Sequence, residues 1–316
     1  MAVSLLQIIA KIISILMMLY LVTGASGFLG KAILCELSKH NARSLTIGRQ
    51  SINDILCDLV SEVPIINENI IDCVIHAAGK AHSMPKTEAE DQEFFDVNLN
   101  GTNNLLRALE SLERLPKSFV FISSVAVYGR EEGTNIHENA PLLACDPYGS
   151  SKIKAEQLVK NWCQTNNVVC TILRLPLLVG INPPGNLGAM INAIKKGYYF
   201  NVGGGKAKKS MVLADDVARF IPVIAPIGGI FNLTDGEHPT FSSLSMAIAK
   251  KRTPNLPFVL AKIAGKLGDL LGNKAPLNLR KIKKITSDLT FDDSKGRKKG
   301  WNPRPVVAYL KDHDLF

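Results

Sequence analysis

Between residues 19 and 180 two hydrophobic patterns alternate, and the alternation predicts the architecture. "LYLV" at residues 19–22 is an unbroken apolar run, as expected of a parallel strand covered on both faces. It enters the turn "GASGFLG", after which Ile33, Leu34 and Leu37 recur at helical spacing. "SLTIGR" (44–49) reads as a second strand, and "IIDCVIHAAGKAH" (70–82) as a third that closes in a small-residue turn. A single long helix is expected over 91–111, with Phe94, Phe95 and Val97 early and Leu105, Leu106 and Leu109 late. "KSFVFISSVAVYG" (117–129) is a fourth strand and "VVCTILRLPLLVG" (168–180) a fifth, with a proline-opened helix at 147–166 between them. Strands alternating with helices specify an α/β fold with a doubly wound parallel sheet and right-handed crossovers.

After Gly180 the texture changes. "INPPGNLG" reads as a loop and "AMINAIKKG" as a helix, followed by short strands around another helix through residue 241. Residues 244–284 read as mostly helical, interrupted by prolines. The chain therefore divides into a nucleotide-binding domain at 19–180 and a smaller α/β substrate lobe at 181–316, with some segments returning to the main sheet. Ahead of both lies an apolar run, 1–18, whose polar residues Ser4, Gln7, Lys11 and Ser14 would share one narrow helical face. It is short for a spanning helix and lacks a small-residue cleavage site. It reads as a membrane-surface helix, as a helix packed on the protein, or as an over-long gene start before Met17 and Met18. The last is preferred.

A chain of 316 residues can bury a large core, and its 46% hydrophobic and 21% charged content is ordinary for a globular protein. The net charge of +9 changes the picture more, because it favours an anionic partner, be it a nucleotide diphosphate, nucleic acid or an anionic membrane surface. Basic residues concentrate in "RKIKKIT" and "SKGRKKGW", which serve equally as solvated faces. Nucleic acid is argued down by the absence of a basic helix with base-reading spacing and by only 6% aromatic content. The six cysteines show no CxxC spacing and read as buried, reduced thiols in a cytoplasmic protein, membrane-associated if the first 18 residues serve as an anchor. No metal site is expected.

Gly24, Gly27 and Gly30 are spaced GxxGxxG between a strand and a helix, where glycine lets the backbone approach a diphosphate at a helix N-terminus. "PYGSSKIKAEQ" contains YxxxK, Tyr148 and Lys152, which one helical turn places on the same face. "FISSVAVYG" brings Ser123 and Ser124 to a strand end, and "HAAG" and "DVNLNGTNNLL" occur in order between them and the glycine turn. Together these features resemble the extended short-chain dehydrogenase/reductase superfamily, in its NAD-dependent epimerase/dehydratase branch. The resemblance runs from residue 19 through "FDDSKGRKKGWNP" and implies a Rossmann-like sheet.

The resemblance implies an oxidoreductase or isomerase acting on nucleotide-activated sugars, with Tyr148 as acid/base, Lys152 as its partner and Ser124 on the substrate oxygen. The chemistry is reasonable on its own terms. A tyrosine with a reference pKa of about 10 is a poor base at neutral pH, and adjacent positive charge favours its phenolate. The resemblance further places Ser26, Phe28, Leu29, Asp58, Leu59, His76, Ala77, Ala78, Gly79, Asn98 and Pro176 against the cofactor, with Asn98 supporting the backbone of the site. Asn186 and Lys209 fall at positions facing the sugar diphosphate, where Lys209 keeps the charge of a more usual arginine but loses its fork. Arg280 and Lys281 are weaker candidates. Relatives of this kind often pair into homodimers through helices near 92–112 and 148–166.

NAD-binding chains usually carry an acidic residue after the second strand. Here Gly48 and Arg49 stand there, and arginine suits a 2′-phosphate. NADP is therefore slightly favoured over NAD. Sugar 4,6-dehydratases of this branch carry an Asp-Glu pair just after the position of Ser124. Val125 and Ala126 cannot relay a proton, so dehydration is argued down. The preferred expectation is 4-keto reduction of a nucleotide sugar in surface-polysaccharide synthesis. The alternative is 4-epimerisation, and a non-catalytic NAD(P)-sensing regulator ranks lower because Ser124, Tyr148 and Lys152 are all kept.

Overall fold

The computed structural model describes residues 18–81, 85–270 and 278–313. The expectations for the apolar run before Met18 and for His82 lie outside these residues. Seven parallel strands form the central sheet: β1 (Leu19–Thr23), β2 (Arg43–Gly48), β3 (Ile55–Leu56), β4 (Cys73–His76), β5 (Ser118–Ser124), β7 (Val169–Leu175) and β11 (Gly229–Asn232), where β6 (Gly133–Ile136) and β8 (Leu177–Val179) to β10 (Met211–Leu213) lie apart. Their spatial order is β3-β2-β1-β4-β5-β7-β11. The chain thus runs outward from β1, crosses back to β4 and runs outward the other way. The crevice where that order reverses lies at the carboxyl ends of β1 and β4.

Both faces of the sheet are covered, and β1 shows how. All five of its residues are buried, with Tyr20 and Val22 in one core and Leu19 and Leu21 in the other. The first core is closed by α1 (Phe28–Lys39), through Leu29, Ile33 and Leu37, and by α6 (Ala214–Ile224), through Val217, Phe220 and Ile221. The second is closed by α3 (Gly101–Glu110), through Leu105, Leu106 and Leu109, and by α4 (Pro147–Thr165), through Ala155, Val159 and Trp162. Trp301, from the far end of the chain, is 3% exposed in the first core, and β11 joins the sheet, so the C-terminal segments are built into the main domain. The remaining segments form a smaller layer. There β8 pairs β10 over a core closed by α5 (Gly185–Lys195), α7 (Phe241–Ala249) and α11 (Val306–Asp312), and β6 pairs β13 (Leu289–Phe291).

Three expectations are corrected. The strand expected over 168–180 is two, because Pro176 lacks the N–H that a ladder needs; β7 ends at Leu175 and β8 leaves to pair β10. The helix expected over 91–111 begins earlier, as α2 (Glu88–Phe95), and passes through a π turn at Asp96–Asn100 before α3. The loop expected at 181–188 already contains the start of α5 at Gly185. Of the six thiols, Cys57, Cys73 and Cys163 are buried, but Cys35 and Cys145 are exposed.

One polar interaction crosses this apolar interior. Arg174 on β7 and Glu156 on α4 are each 3% exposed or less and meet in a two-pronged pair, Nε to Oε1 at 3.0 Å and Nη2 to Oε2 at 2.7 Å. Arg174 Nη1 also donates to the Tyr128 hydroxyl and to the Glu138 carbonyl, and Tyr128 donates to Asn232 Oδ1. Removing one partner leaves a buried charge unpaired, which costs about 3–5 kcal/mol. Glu156→Ala is therefore expected to lower the unfolding free energy by about that amount. The joint replacement Glu156→Met with Arg174→Met is expected to cost less than the single one. Urea unfolding of both variants checks this, and a double variant less stable than the single would refute it.

Candidate active site

The glycine turn sits at the end of β1, in the crevice where the strand order reverses. Gly24 has φ +70°, and a Cβ there would lie 2.6 Å from the Ala77 carbonyl carbon and the Ala78 nitrogen. A Cβ on Gly30 would lie 2.1 Å from the Gly24 oxygen, so α1 can start this close to the strand only through glycine. Gly27 N donates to Gly24 O at 2.9 Å, Gly27 itself is exposed, and α1 begins at the next residue, Phe28. No side chain caps that helix, so its first N–H groups are open to an anion. Ser26 and Phe28 are half-buried beside the turn, while Leu29 is buried in the core.

The "HAAG" turn faces this one across the crevice. The His76 ring is locked from both sides, Nδ1 to Thr23 Oγ1 at 2.6 Å and Nε2 to Thr102 Oγ1 at 2.8 Å. Because Thr102 donates to the Asn98 carbonyl, it accepts from Nε2–H, and the ring is neutral. Burial, with Lys152 nearby, pushes the imidazole down to about 3. With both nitrogens engaged, the side chain of His76 serves the scaffold rather than a ligand. Ala77, Ala78 and Gly79 follow, and a Cβ on Gly79 would lie 3.0 Å from Lys152 Nζ.

Asn98 lies in the π turn, a local widening that often marks functional positions, and is 1% exposed. Its Oδ1 accepts from Lys80 N at 2.8 Å, and its Nδ2 donates to the Lys80 carbonyl and to Ser151 Oγ. One side chain thereby fastens the turn after β4 to the first turns of α4.

That part of α4 carries Tyr148 and Lys152. Asp146 caps the helix by accepting from Gly149 N, and Pro147 opens it. Lys152 is 5% exposed; its Nζ donates to the Ile122 carbonyl at 3.0 Å and lies 4.7 Å from the Phe121 ring centre. Burial brings its ammonium down to about 8, opposed by the charge of Glu156. Burial likewise raises the Tyr148 phenol above its ordinary range, while a hydrogen bond with Ser124 acts the other way. Ser124, the last residue of β5, also accepts from Ala126 N at 3.2 Å. The structure thus brings Ser124, Tyr148 and Lys152 to one strand end beside the "HAAG" turn.

Other expected residues lie further out. Arg49 is exposed just past β2, and Asp58 caps a turn by accepting from Val60 N. The Leu59 carbonyl accepts from Asn104, and Pro176 is half-buried between β7 and β8. Asn186 is exposed in the first turn of α5. Lys209 Nζ is buried and has no hydrogen-bond partner among the described residues; burial and the charge of Lys284 bring it down to about 8, against the pull of Asp288 and Glu131. Arg280 is 81% exposed and paired with Glu131 at 2.7 Å, so it is engaged on the surface. A separate cleft of about 790 Å³ around Asp235, His238 and Arg297 contains none of the residues singled out from the sequence.

Sequence reasoning missed Glu156, Arg174, Thr23 and Thr102. Two of them carried a signal: Arg174 interrupts the apolar "TILRLP", and Glu156 follows Lys152 by four on the same helix. The glycine cradle, the open helix N-terminus and the buried Lys152 fit a nicotinamide dinucleotide, whose diphosphate the residues from Gly24 to Gly30 could hold.

The family model for the NAD dependent epimerase/dehydratase family matches residues 20–232. The chain is 29% identical over 223 residues to N-acetyl-alpha-D-glucosaminyl-diphospho-ditrans,octacis-undecaprenol 4-epimerase of Escherichia coli O157:H7, covering 66% of each chain. It is 30% identical to UDP-glucose 4-epimerase of Bacillus subtilis, covering 63% of this chain and 65% of that one. These two alignments span just under two thirds of the relatives' lengths. With UDP-glucose 4-epimerase of Vibrio cholerae the identity is 28% and 90% of each chain is covered. Among solved structures, MoeE5 in complex with UDP-glucose and NAD superposes with a TM-score of 0.73 at 19% identity, covering 94% of this chain and 97% of that one. A human epimerase family protein with NADPH gives 0.71 at 17%, covering 93% and 98%. The chain belongs to the NAD dependent epimerase/dehydratase family.

Proposed function

We propose that this chain epimerises C4 of a sugar carried on a diphosphate, retaining its dinucleotide through the cycle. The observation that carries the reading is the convergence of Ser124, Tyr148 and Lys152 at one strand end beside the glycine turn. The chemistry a bound nicotinamide dinucleotide supplies is reversible acceptance of hydride from carbon. Tyr148, as phenolate, takes the proton of the sugar 4-hydroxyl and later returns it to the oxygen on the inverted carbon. Ser124 holds that oxygen, and the Lys152 ammonium stabilises the phenolate. Lys209, a buried cation without an acceptor, suits the sugar diphosphate, as does the helix start at Asn186. The names of the curated relatives support 4-epimerisation over the 4-keto reduction preferred from the sequence. Arg49 is the one observation favouring a reductase that exchanges NADP, and neighbours with NAD and with NADPH share the fold.

Mass spectrometry of the nucleotide released on denaturing the purified protein is expected to find NAD, and NADP would favour the reductase. Tyr148→Phe is expected to reduce turnover by at least about 10²-fold with the dinucleotide still bound; near-normal turnover would remove Tyr148 from its role. Arg49→Ala is expected to leave NAD retention unchanged, as measured on the same preparations.

Lys152→Met is expected to abolish turnover yet raise stability at pH 7 by on the order of 1 kcal/mol, because a buried ammonium is destabilising. The sign follows from linkage. Between about 8 and the ordinary 10.5 the unfolded chain holds a proton that the folded chain has lost, so wild-type stability rises with pH there and the variant's advantage shrinks. Thermal melts of both proteins across that range check it, and a constant difference would show that the charge is not the cause.

A further inference from the structure

Helix α8 (Phe258–Leu270) is packed inside out. Between Phe258 and Asp269 its buried positions are Ala261, Gly265 and Gly268, all small. Phe258, Val259, Leu260, Ile263 and Leu267 are 41%, 68%, 54%, 53% and 58% exposed. Val259, Ile263 and Leu267 follow one another at i, i+4, i+8, with Leu260 beside them, so the outward face carries a continuous apolar stripe. Such a patch is on the scale, a few hundred Å², that marks an interaction surface on a soluble protein.

The cause is visible on the inner face. Helix α9 (Leu279–Thr286) packs there, and a Cβ on Gly265 would lie 2.4 Å from Ile282 Cδ1 and 3.3 Å from the Leu279 nitrogen. Close approach of the two helices selects small residues inside and leaves the large ones out.

Charge says what meets the stripe. Exposed Lys262 and Lys266 follow one of its edges. On the inner side α9 carries Arg280, Lys281, Lys283 and Lys284, of which Arg280 and Lys283 pair with Glu131 and Glu132. Beyond residue 180 the chain has 22 Lys and Arg against 10 Asp and Glu, a net +12; up to residue 180 it has 15 against 18, a net −3. The positive charge therefore belongs entirely to the half that contains α8. A second copy of this face would bring like charges together, whereas a layer of lipid phosphates over hydrocarbon complements both the lysines and the stripe. At 13 residues the helix is too short to span a bilayer and suits one lying in the headgroup boundary.

We propose that α8 is an interfacial helix that seats this chain on an anionic lipid bilayer. The stripe of Val259, Leu260, Ile263 and Leu267 enters the headgroup boundary, and Lys262 and Lys266 at its edge meet the phosphates. Docking stands or falls separately from the reaction, since it is read without turnover.

The test is flotation of the full chain with vesicles of phosphatidylcholine mixed with phosphatidylglycerol, against phosphatidylcholine alone. The chain is expected to float with the mixed vesicles, less so as salt rises, and far less with the neutral ones. Ile263→Glu with Leu267→Glu is expected to reduce the bound fraction at least about tenfold while the bound dinucleotide and circular dichroism stay unchanged. Lys262→Gln with Lys266→Gln, which leaves the apolar stripe intact, is expected to weaken binding and flatten its salt dependence. Flotation of the Glu variant equal to wild type would overturn the proposal, since another segment would then carry the contact. So would a wild-type chain that ignores vesicles, or one that the Glu variant converts from dimer to monomer in sedimentation without change in flotation.

Discussion

The arrangement of the site depends on the two-pronged pair between Glu156 and Arg174. It ties α4 to β7 in the one geometry where both charges are satisfied, because either ion displaced within an apolar interior is left uncompensated. Glu156 also accepts from Ser123 Oγ at 2.5 Å, which fixes α4 against β5 as well. Ser124, the next residue and the last of β5, is thereby held at the head of that helix, where it bonds Tyr148. Lys152, one turn before Glu156, is carried to the Ile122 carbonyl by the same docking.

This arrangement holds cations where water cannot reach them. Lys152 and Lys209 are both brought down to about 8 by burial, and among the described residues neither has a carboxylate within hydrogen-bond distance. A core optimised for stability alone would put apolar side chains at both positions. The two differ in what surrounds them. Lys152 keeps a carbonyl acceptor and an aromatic face, a permanent coordination suited to tuning a neighbour. Lys209 has no acceptor of its own, as suits a group whose partner arrives with the substrate.

Much of the fold was legible because a parallel sheet buried on both faces writes itself as apolar runs. The strands β1, β4, β5 and β7 and the helices between them follow directly. The short strands β3 and β6, along with the two-residue β9 (Asn201–Val202) and β12 (Asn255–Leu256), have no periodicity to read, and the partners of the last three lie far away in the chain. The chemistry of Gly24, Ser124, Tyr148 and Lys152 was legible as motifs, but the scaffold beneath them was not. The threonines that fix the His76 ring are 53 and 26 residues from it, and Asn98 reaches back 18 residues to Lys80 from a π turn that the apolar pattern does not announce. Local sequence specifies which groups are present, whereas tertiary register decides which of them face each other.

Helix α8 carries that distinction furthest. Its composition predicts an amphipathic helix, and the default reading buries Phe258, Val259, Ile263 and Leu267. Sequence pattern alone cannot say which of two opposed stripes, one small and one large, will face the protein. The decision is steric: α9 packs against α8 over Ala261 and Gly265, and that choice fixes the opposite stripe as surface. Most helices minimise exposed apolar area when they dock. This one does the reverse, in the half of the chain that holds all the excess positive charge, so the packing against α9 and the outward apolar stripe are two consequences of a single constraint.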